Sequence, residues 1–462
     1  MGTVVCSAAL LLAVLLVDPQ QRGGSVNELH ADPGPRAFVP PPGFRAAAPT
    51  ARAQAARSTT DLPDDQPDQP QIHFFYVLPS DGVDRALDTN GLIAGSVSAL
   101  RSSFTAQTGG LILPPDTQNG ALDITFFRLA RSDAEIAAMG TSATTGIESE
   151  LNVAGLLKPN KLYGAYYDGG NSATCASAAW PPRVRGKVGS LYLQGFSGAC
   201  SAMGFAPAGG TPGYLEFLML HELMHTAGLA PECAAHSTPN SRAHVSDTAR
   251  DLMWNGSSQW LLPAVLDSGR DDYFQHGNPN CLDLDVRKNF SPPALAGSAI
   301  ERQFLTAAPG SWSAAAPLVT TRRWERCDQG EAACVPITEG ANDTYAVSKA
   351  DVGSRIRVVE TAANLTGATS ATTSATRVVR AAAYGISVVV AGKGRVTSTP
   401  TGIACPARCG RAFATDSVVR LRAKPAAGFR FVRWSGSCGQ RASCALRVVD
   451  TAQAVRATFR RR

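Results

Sequence analysis

The run His221-Glu222-Leu223-Met224-His225 constrains this 462-residue chain more than any other feature. Residues four apart share one face of an α-helix, so the two imidazoles can hold one metal ion only if the run is helical. Glu222 lies one step round that helix, within reach of a water beside the ion. Thr211 and Pro212 suit a helix start and Gly228 a helix stop, which sets the expected helix at Tyr214 to Leu229. The bland alternative is an ordinary surface helix carrying two unrelated histidines.

The cysteines set the compartment. Without Cys6, which falls in the apolar run Val4 to Val17, ten remain. They fall into local pairs, Cys175-Cys200, Cys233-Cys281, Cys327-Cys334, Cys405-Cys409 and Cys438-Cys444. Neighbouring pairs in separate segments read as disulfides made in an oxidising compartment. A zinc knuckle from Cys405, Cys409, Cys438 and Cys444 is the alternative, against which the spacings are too long. The run Val4 to Val17 is too short to span a bilayer and fits the core of a signal peptide. No Lys or Arg precedes it, so residues 1–20 read as a signal peptide or an N-terminal anchor. The expected location is secreted or extracellular, with cell-surface association.

Residues 21–70 are rich in Pro, Ala, Arg and Asp without apolar periodicity, and read as a disordered linker or propeptide. Order is expected from Gln71. Strands are expected at Ile72 to Leu78, Leu122 to Leu129, Lys161 to Tyr167 and Gly189 to Gln194. Helices are expected at Leu92 to Thr105 and over much of Ser132 to Leu157. Gly256 to Leu284 carries no clear element. Ser291-Pro292-Pro293 looks like a boundary, followed by Val/Thr/Ala-rich short strands over 291–381 and a second all-β pattern over 384–462. From Tyr384 to Arg462 there are 15 Lys and Arg but 2 Asp and Glu, a balance of +13. The whole chain has a formal net charge of +6, so the remainder stands near −7. A basic module on an acidic body points to an anionic surface or polymer as partner. A solvated basic face is the bland reading. No specific nucleic-acid partner is implied.

The H-E-x-x-H run is the signature of zinc metallopeptidases, in which two His bind Zn2+ and the Glu is the general base. The order of strands and helices leading into it resembles the N-terminal subdomain of the metzincins. That resemblance implies an α+β zincin catalytic domain over 71–290, followed by the two small all-β modules. It also implies an edge strand above the cleft that pairs with extended substrate, a place expected for Gly189 to Gln194. The metzincin pattern H-E-x-x-H-x-x-G-x-x-H would put the third ligand at residue 231. That residue is Pro231, so the match runs only through Gly228. His236, His244 and Asp247 are the candidates, with His276 more remote, and Glu232 is disfavoured beside Pro231. The segment from Ala243 to Trp254, AHVSDTARDLMW, resembles secreted bacterial zincins with a G-H-V-x-D segment before D-L-M-Y. It ranks His244 first and makes Met253 the Met-turn. Trp254 stands where those proteins have Tyr, and Tyr273 is a candidate replacement. Asp247 and Asp251 are expected to cap turns or to orient ligand imidazoles.

The segments PGSWSAAAP, TRRWERCDQGEAAC and TYAVSKADVGSRIRVVETAAN resemble bacterial Ig-like repeats of exported surface proteins. The stretch 385–462, with Trp434-Ser435-Gly436 and two short Cys loops, resembles the internalin-B-type β-repeat family. The expected function is a secreted zinc endopeptidase acting on protein or peptide substrates. Glu222 would serve as general base beside one zinc on His221, His225 and His244. The alternatives are a surface adhesion protein with an inactive or structural metal domain, and a zinc amidase acting on cell wall.

Overall fold

The computed structural model describes residues 30–31 and 57–462, apart from 182, 196–199, 201–203, 239–240, 256–259, 339–342 and 440–442. The expected signal peptide, Cys6 and most of the expected linker lie outside the described residues. No described helix is long and apolar enough to cross a membrane. The chain is multidomain and mostly β. One compact unit comprises residues 1–286 with Ala314–Pro317 and Asn364–Thr366, and a second comprises the rest. The boundary thus precedes the expected Pro-Pro site, and Ala315 and Leu365 belong to the first unit's core.

The first unit is built on one six-stranded sheet. Its strands are β1 (His30–Ala31), β2 (Gln71–Leu78), β5 (Ile124–Arg128), β6 (Lys161–Tyr167), β7 (Ala176–Ala178) and β8 (Val188–Tyr192), in the order β1-β7-β8-β6-β2-β5. A two-residue hairpin, β3 (Thr117–Gln118) with β4 (Ala121–Leu122), takes the start of the strand expected at Leu122. Strands β5, β2, β6 and β8 are mutually parallel. They are covered on both faces, which is why QIHFFYVL and KLYGAYY read as continuous apolar runs. Phe74 and Tyr76 face helices α1 (Leu92–Thr108) and α4 (Tyr214–Thr226). Phe75 and Val77 face α2 (Asp133–Ala138) and α3 (Ala143–Val153). A 3-10 turn at Gly140–Ser142 splits the expected long helix into α2 and α3.

The strand expected at the sheet's edge is interior. β8 pairs with β6 on one side and antiparallel with β7 on the other. The physical reason is that Ala176–Ala178, a short run of small residues with little strand signal of its own, pairs with Gly189, Ser190 and Leu191. β7 in turn pairs antiparallel with β1, the outermost strand, through His30 with Ala178 and Ala31 with Ser177.

The segment expected as linker is seated on this sheet from residue 57. Arg57 binds Asp88 at 2.7 Å and lies over the Phe126 ring. Asp65 accepts from Asn119 and Gly120 N–H in the hairpin turn. Asp61 and Asp64 reach the fully buried Lys161 ammonium at 2.9 and 2.7 Å. These carboxylates find cations and turn N–H groups far away in sequence, which periodicity cannot register.

The second unit holds two β modules. In the first, strands β11 (Lys288–Ser291) and β14 (Ser311–Ser313) pair. Two sheets complete it: β12 (Ala294–Gly297), β13 (Phe304–Ala308) and β17 (Thr344–Ala346); and β16 (Cys334–Thr338), β15 (Val319–Cys327), β18 (Arg355–Asn364) and β19 (Gly367–Thr372). Their core centres on Trp324, Ile356 and Val358. The second module places β23 (Gly410–Ala414), β20 (Ala383–Ala391), β27 (Gln453–Arg461) and β25 (Phe429–Gly436) in one sheet. The other holds β22 (Ala404–Cys405), β21 (Gly394–Thr399), β24 (Val418–Pro425) and β26 (Cys444–Arg447). All five expected disulfides are present. The four C-terminal cysteines are thereby spent, which removes the zinc-knuckle alternative.

Candidate metal centre

Helix α4 is buried along its whole length, as its sequence YLEFLMLHELMHT requires. Its N-terminus is closed by Gly213 rather than by Thr211. The Glu216 carboxylate accepts from Gly213 N–H at 2.8 Å, and its other oxygen accepts from Ser96 and Ala206. It ends at Thr226, three residues short of the expected Leu229, and Gly228, the expected stop, has φ of +81° while the N–H of Leu229 reaches back to Met224 O.

His221 and His225 are each 1 % exposed and His244 is 0 % exposed. The Nε2 atoms of His225 and His221 are 2.9 Å apart, and those of His221 and His244 are 3.2 Å apart. Two nitrogens on a tetrahedral zinc with Zn–N bonds of about 2.0–2.1 Å stand about 3.3 Å apart, so the spacing fits that ion. The third donor comes from β10 (Ser241–Val245), which pairs with β9 (Ser237–Thr238). Ala243, just before His244, has φ of +68°, a costly conformation for a residue with a Cβ.

The His221 tautomer is set by its other nitrogen. Nδ1–H donates to the Leu252 carbonyl at 2.5 Å, which leaves a lone pair on Nε2 facing the other two rings. Burial pushes the His221 imidazole down to about 4, against the pull of that carbonyl, so it is neutral near pH 7. Neutral imidazoles with converging lone pairs are the donor set that zinc requires.

Leu252 is held by the turn that contains Met253. Val245 N–H donates to Met253 O, and Met253 N–H donates to Asp251 Oδ1. Asp251 also accepts from Tyr273 O–H at 2.8 Å and from Ser268 N–H. Burial raises the Asp251 carboxyl to about 7, while those hydrogen bonds pull the other way. Met253 is fully buried. Trp260, which the spacing of motifs did not mark, donates to Asp251 O and sets its ring 6.0 Å from His221. The aromatic residue just beyond D-L-M-W was the only available signal.

The remaining candidates lie elsewhere. His236 has its Nδ1 3.1 Å from Asp272 Oδ2 and groups with Asp271 and Asp272. Its side chain is 41 % exposed. Asp247 is outside the three-His group; burial raises its carboxyl. His276 donates from Nε2 to Leu282 O. The Tyr273 hydroxyl is engaged by Asp251 and by Asp267 N–H, so it does not replace the tyrosine absent at Trp254.

Glu222 is fully buried where α4 crosses β8. A Cβ on Gly189 would stand 2.8 Å from the Glu222 Cβ and 3.2 Å from its carbonyl carbon. Glycine at 189 therefore sets how closely helix and sheet approach. Gly189→Ala is expected to cost about 1–3 kcal/mol by overpacking. A lowered Tm together with a changed zinc affinity would mark that contact; an unchanged Tm would show the helix can yield.

A second buried cluster escaped the sequence reading. His73 Nδ1 meets Asp116 Oδ2 at 2.6 Å, and its Nε2 meets Thr125 Oγ1 at 3.0 Å. Asp61 and Asp123 complete the group. Lys161 also binds Asp116, so an ammonium already supplies the cation. Burial opposes that charge, but the hydrogen bonds to Asp116, Asp64 and Asp61 outweigh it and raise the Lys161 pKa.

A family model described as a divergent InlB B-repeat domain matches residues 384–462, which identifies the C-terminal module. No curated protein matches the chain. Among solved structures, the chain is similar to crystal structures of the N-terminal four Ig domains of Dscam1, isoforms 4.44 and 7.44, at 14% identity in each case. The matches cover 36% of this chain and 45% of theirs, with TM-scores of 0.14 and 0.15. The chain thus spans under half the length of these Ig-domain structures.

Proposed function

We propose that this protein is an exported zinc endopeptidase, with a metzincin-like catalytic unit and two accessory β modules. The observation that carries this reading is the convergence of three buried Nε2 atoms, from His221 and His225 of α4 and His244 of β10. A zinc ion held by those nitrogens supplies Lewis acidity toward a peptide carbonyl and lowers the pKa of an attacking water to about 7. Glu222 takes that water's proton on its carboxylate and passes it to the leaving amine. The Leu252 carbonyl fixes His221, and Asp251 fixes the turn that carries Leu252.

Extended substrate would pair with β7 in place of β1, the strand it would have to displace. β1 also lies against β10, the strand of His244, so the edge leads to the metal ligands. Five disulfides and the B-repeat module support export and residence at a cell surface. The basic C-terminal module supports contact with an anionic surface polymer.

Zymography of the full chain on casein or gelatin tests the reading. Clearing is expected to vanish with chelator and return with added zinc. Clearing that ignores chelator, or none from protein carrying one zinc, sinks it. The second outcome would favour a surface adhesion protein with a structural metal site, a reading that the B-repeat match favours.

A further inference from the structure

The B-repeat module has a charge problem that its own residues do not solve. Along β24, Val419 and Leu421 point into the core, so Arg420, Arg422 and Lys424 project to solvent. On the neighbouring β21, Val396 is buried and Arg395, Thr397 and Thr399 are exposed. The register sets Arg395 directly opposite Lys424, Thr397 opposite Arg422 and Thr399 opposite Arg420. On the other flank Ala445 of β26 faces Arg420. Four cations therefore share one sheet face with only hydroxyls and an alanine between them, and a fifth, Arg447 of β26, stands at the end of that face opposite Val418. Like charges directly opposite each other are destabilising.

Neither of the module's two carboxylates is bound to these four side chains. Asp416 binds Lys349 and Arg447, and Asp450 binds Arg302. Among the described residues, none of Arg395, Arg420, Arg422 and Lys424 has a carboxylate partner to supply its counter-charge.

We infer that the solvent face of the β21–β24 ladder binds a linear phosphodiester polymer of a cell envelope, with Arg420, Arg422 and Lys424 as a row of phosphate contacts. The inference rests on the reading of this module as the surface-binding part, and names its face and ligand chemistry. Successive outward residues on an antiparallel strand stand about 6.8 Å apart. That matches a chain with one charge per short repeat. Guanidinium groups present paired donors to phosphate oxygens. Single-stranded nucleic acid is disfavoured because the face offers no aromatic ring on which a base could stack. The disulfides place the module where envelope polymers are found.

The test uses the full chain and linear poly(glycerol phosphate), with binding measured across a salt series. The triple variant Arg420→Gln, Arg422→Gln, Lys424→Gln is expected to bind about tenfold or more weakly. Its slope of log K against log salt should shrink by about two, as for three lost phosphate contacts. A triple on the opposite sheet, Arg430→Gln, Arg456→Gln, Arg460→Gln, removes the same charge from the competing basic face, where Arg430 stands directly opposite Arg460. It should change affinity less than about threefold if the contacts lie on the β21–β24 face. Arg420→Lys with Arg422→Lys keeps the charges and should keep the slope, which separates charge loss from misfolding. Equal weakening by the two Gln triples overturns the assigned face while leaving surface binding intact. No binding by the unaltered chain overturns both. Tighter binding of an oligo-dT of equal charge overturns the choice of polymer.

Discussion

If the protein is the zinc peptidase proposed, Glu222→Gln is expected to slow peptide hydrolysis by about 10²–10⁴-fold while the protein keeps one equivalent of zinc. The substitution exchanges one carboxylate oxygen for an amide nitrogen and changes neither length nor branching. Cβ and backbone at 222, the atoms that Gly189 approaches, stay the same. None of the three converging nitrogens belongs to Glu222, so the donor set is intact. What disappears is a base that can take a proton from water and hand it to an amine. General acid–base groups contribute about 10²–10⁴-fold, and the loss in kcat/KM should fall in that range with KM little changed. Zinc is counted after exhaustive dialysis, and turnover is followed on a quenched peptide. A variant keeping half the original rate would remove Glu222 as base. One losing both zinc and activity would show that Glu222 organises the site instead.

The helix and the side chains His221, Glu222 and His225 that it carries were legible because they lie in one contiguous run whose periodicity and ends need no tertiary information. His244 was legible for a related reason. It precedes Leu252 and Met253 within one short segment, and that segment folds on itself through Val245 and Met253. His236 looked comparable in sequence. What sets it apart is Asp272, 36 residues further on, which holds its ring. β7 was missed because Ala176–Ala178 has no strand propensity worth reading; it is a strand because β8 pairs with it. The Lys161 cluster was missed for the opposite reason. Lys161 begins a well-marked strand, but its partners Asp61, Asp64 and Asp116 sit 45 to 100 residues away. The five disulfides were legible because four of the five loops hold 25 residues or fewer, and each pair lies within one fold segment.

On the same proposal, His244→Ala is expected to release zinc and, with it, hydrolysis. Removing this imidazole leaves two donors, both from α4, where catalytic zinc takes three protein ligands. Losing an outer hydrogen-bond partner of a ligand already costs about 10–100-fold in metal affinity, so loss of the ligand itself should exceed that. Less than about a tenth of an equivalent should then survive dialysis against a weak chelator. The fold around the vacancy is expected to persist. Cys233–Cys281 brackets the segment, and Asp251 holds Met253, Ser268 and Tyr273 without help from residue 244. Far-UV circular dichroism should therefore overlay that of the parent. His236→Ala is the paired control and should keep its zinc, because Asp272 already holds that ring away from the cluster. If the His244 variant keeps a full equivalent and the His236 variant loses it, the third ligand is His236 and the segment closes differently around the ion. If both keep it, Asp247 becomes the donor to replace next. In either case the peptidase reading would rest on His221, Glu222 and His225 alone.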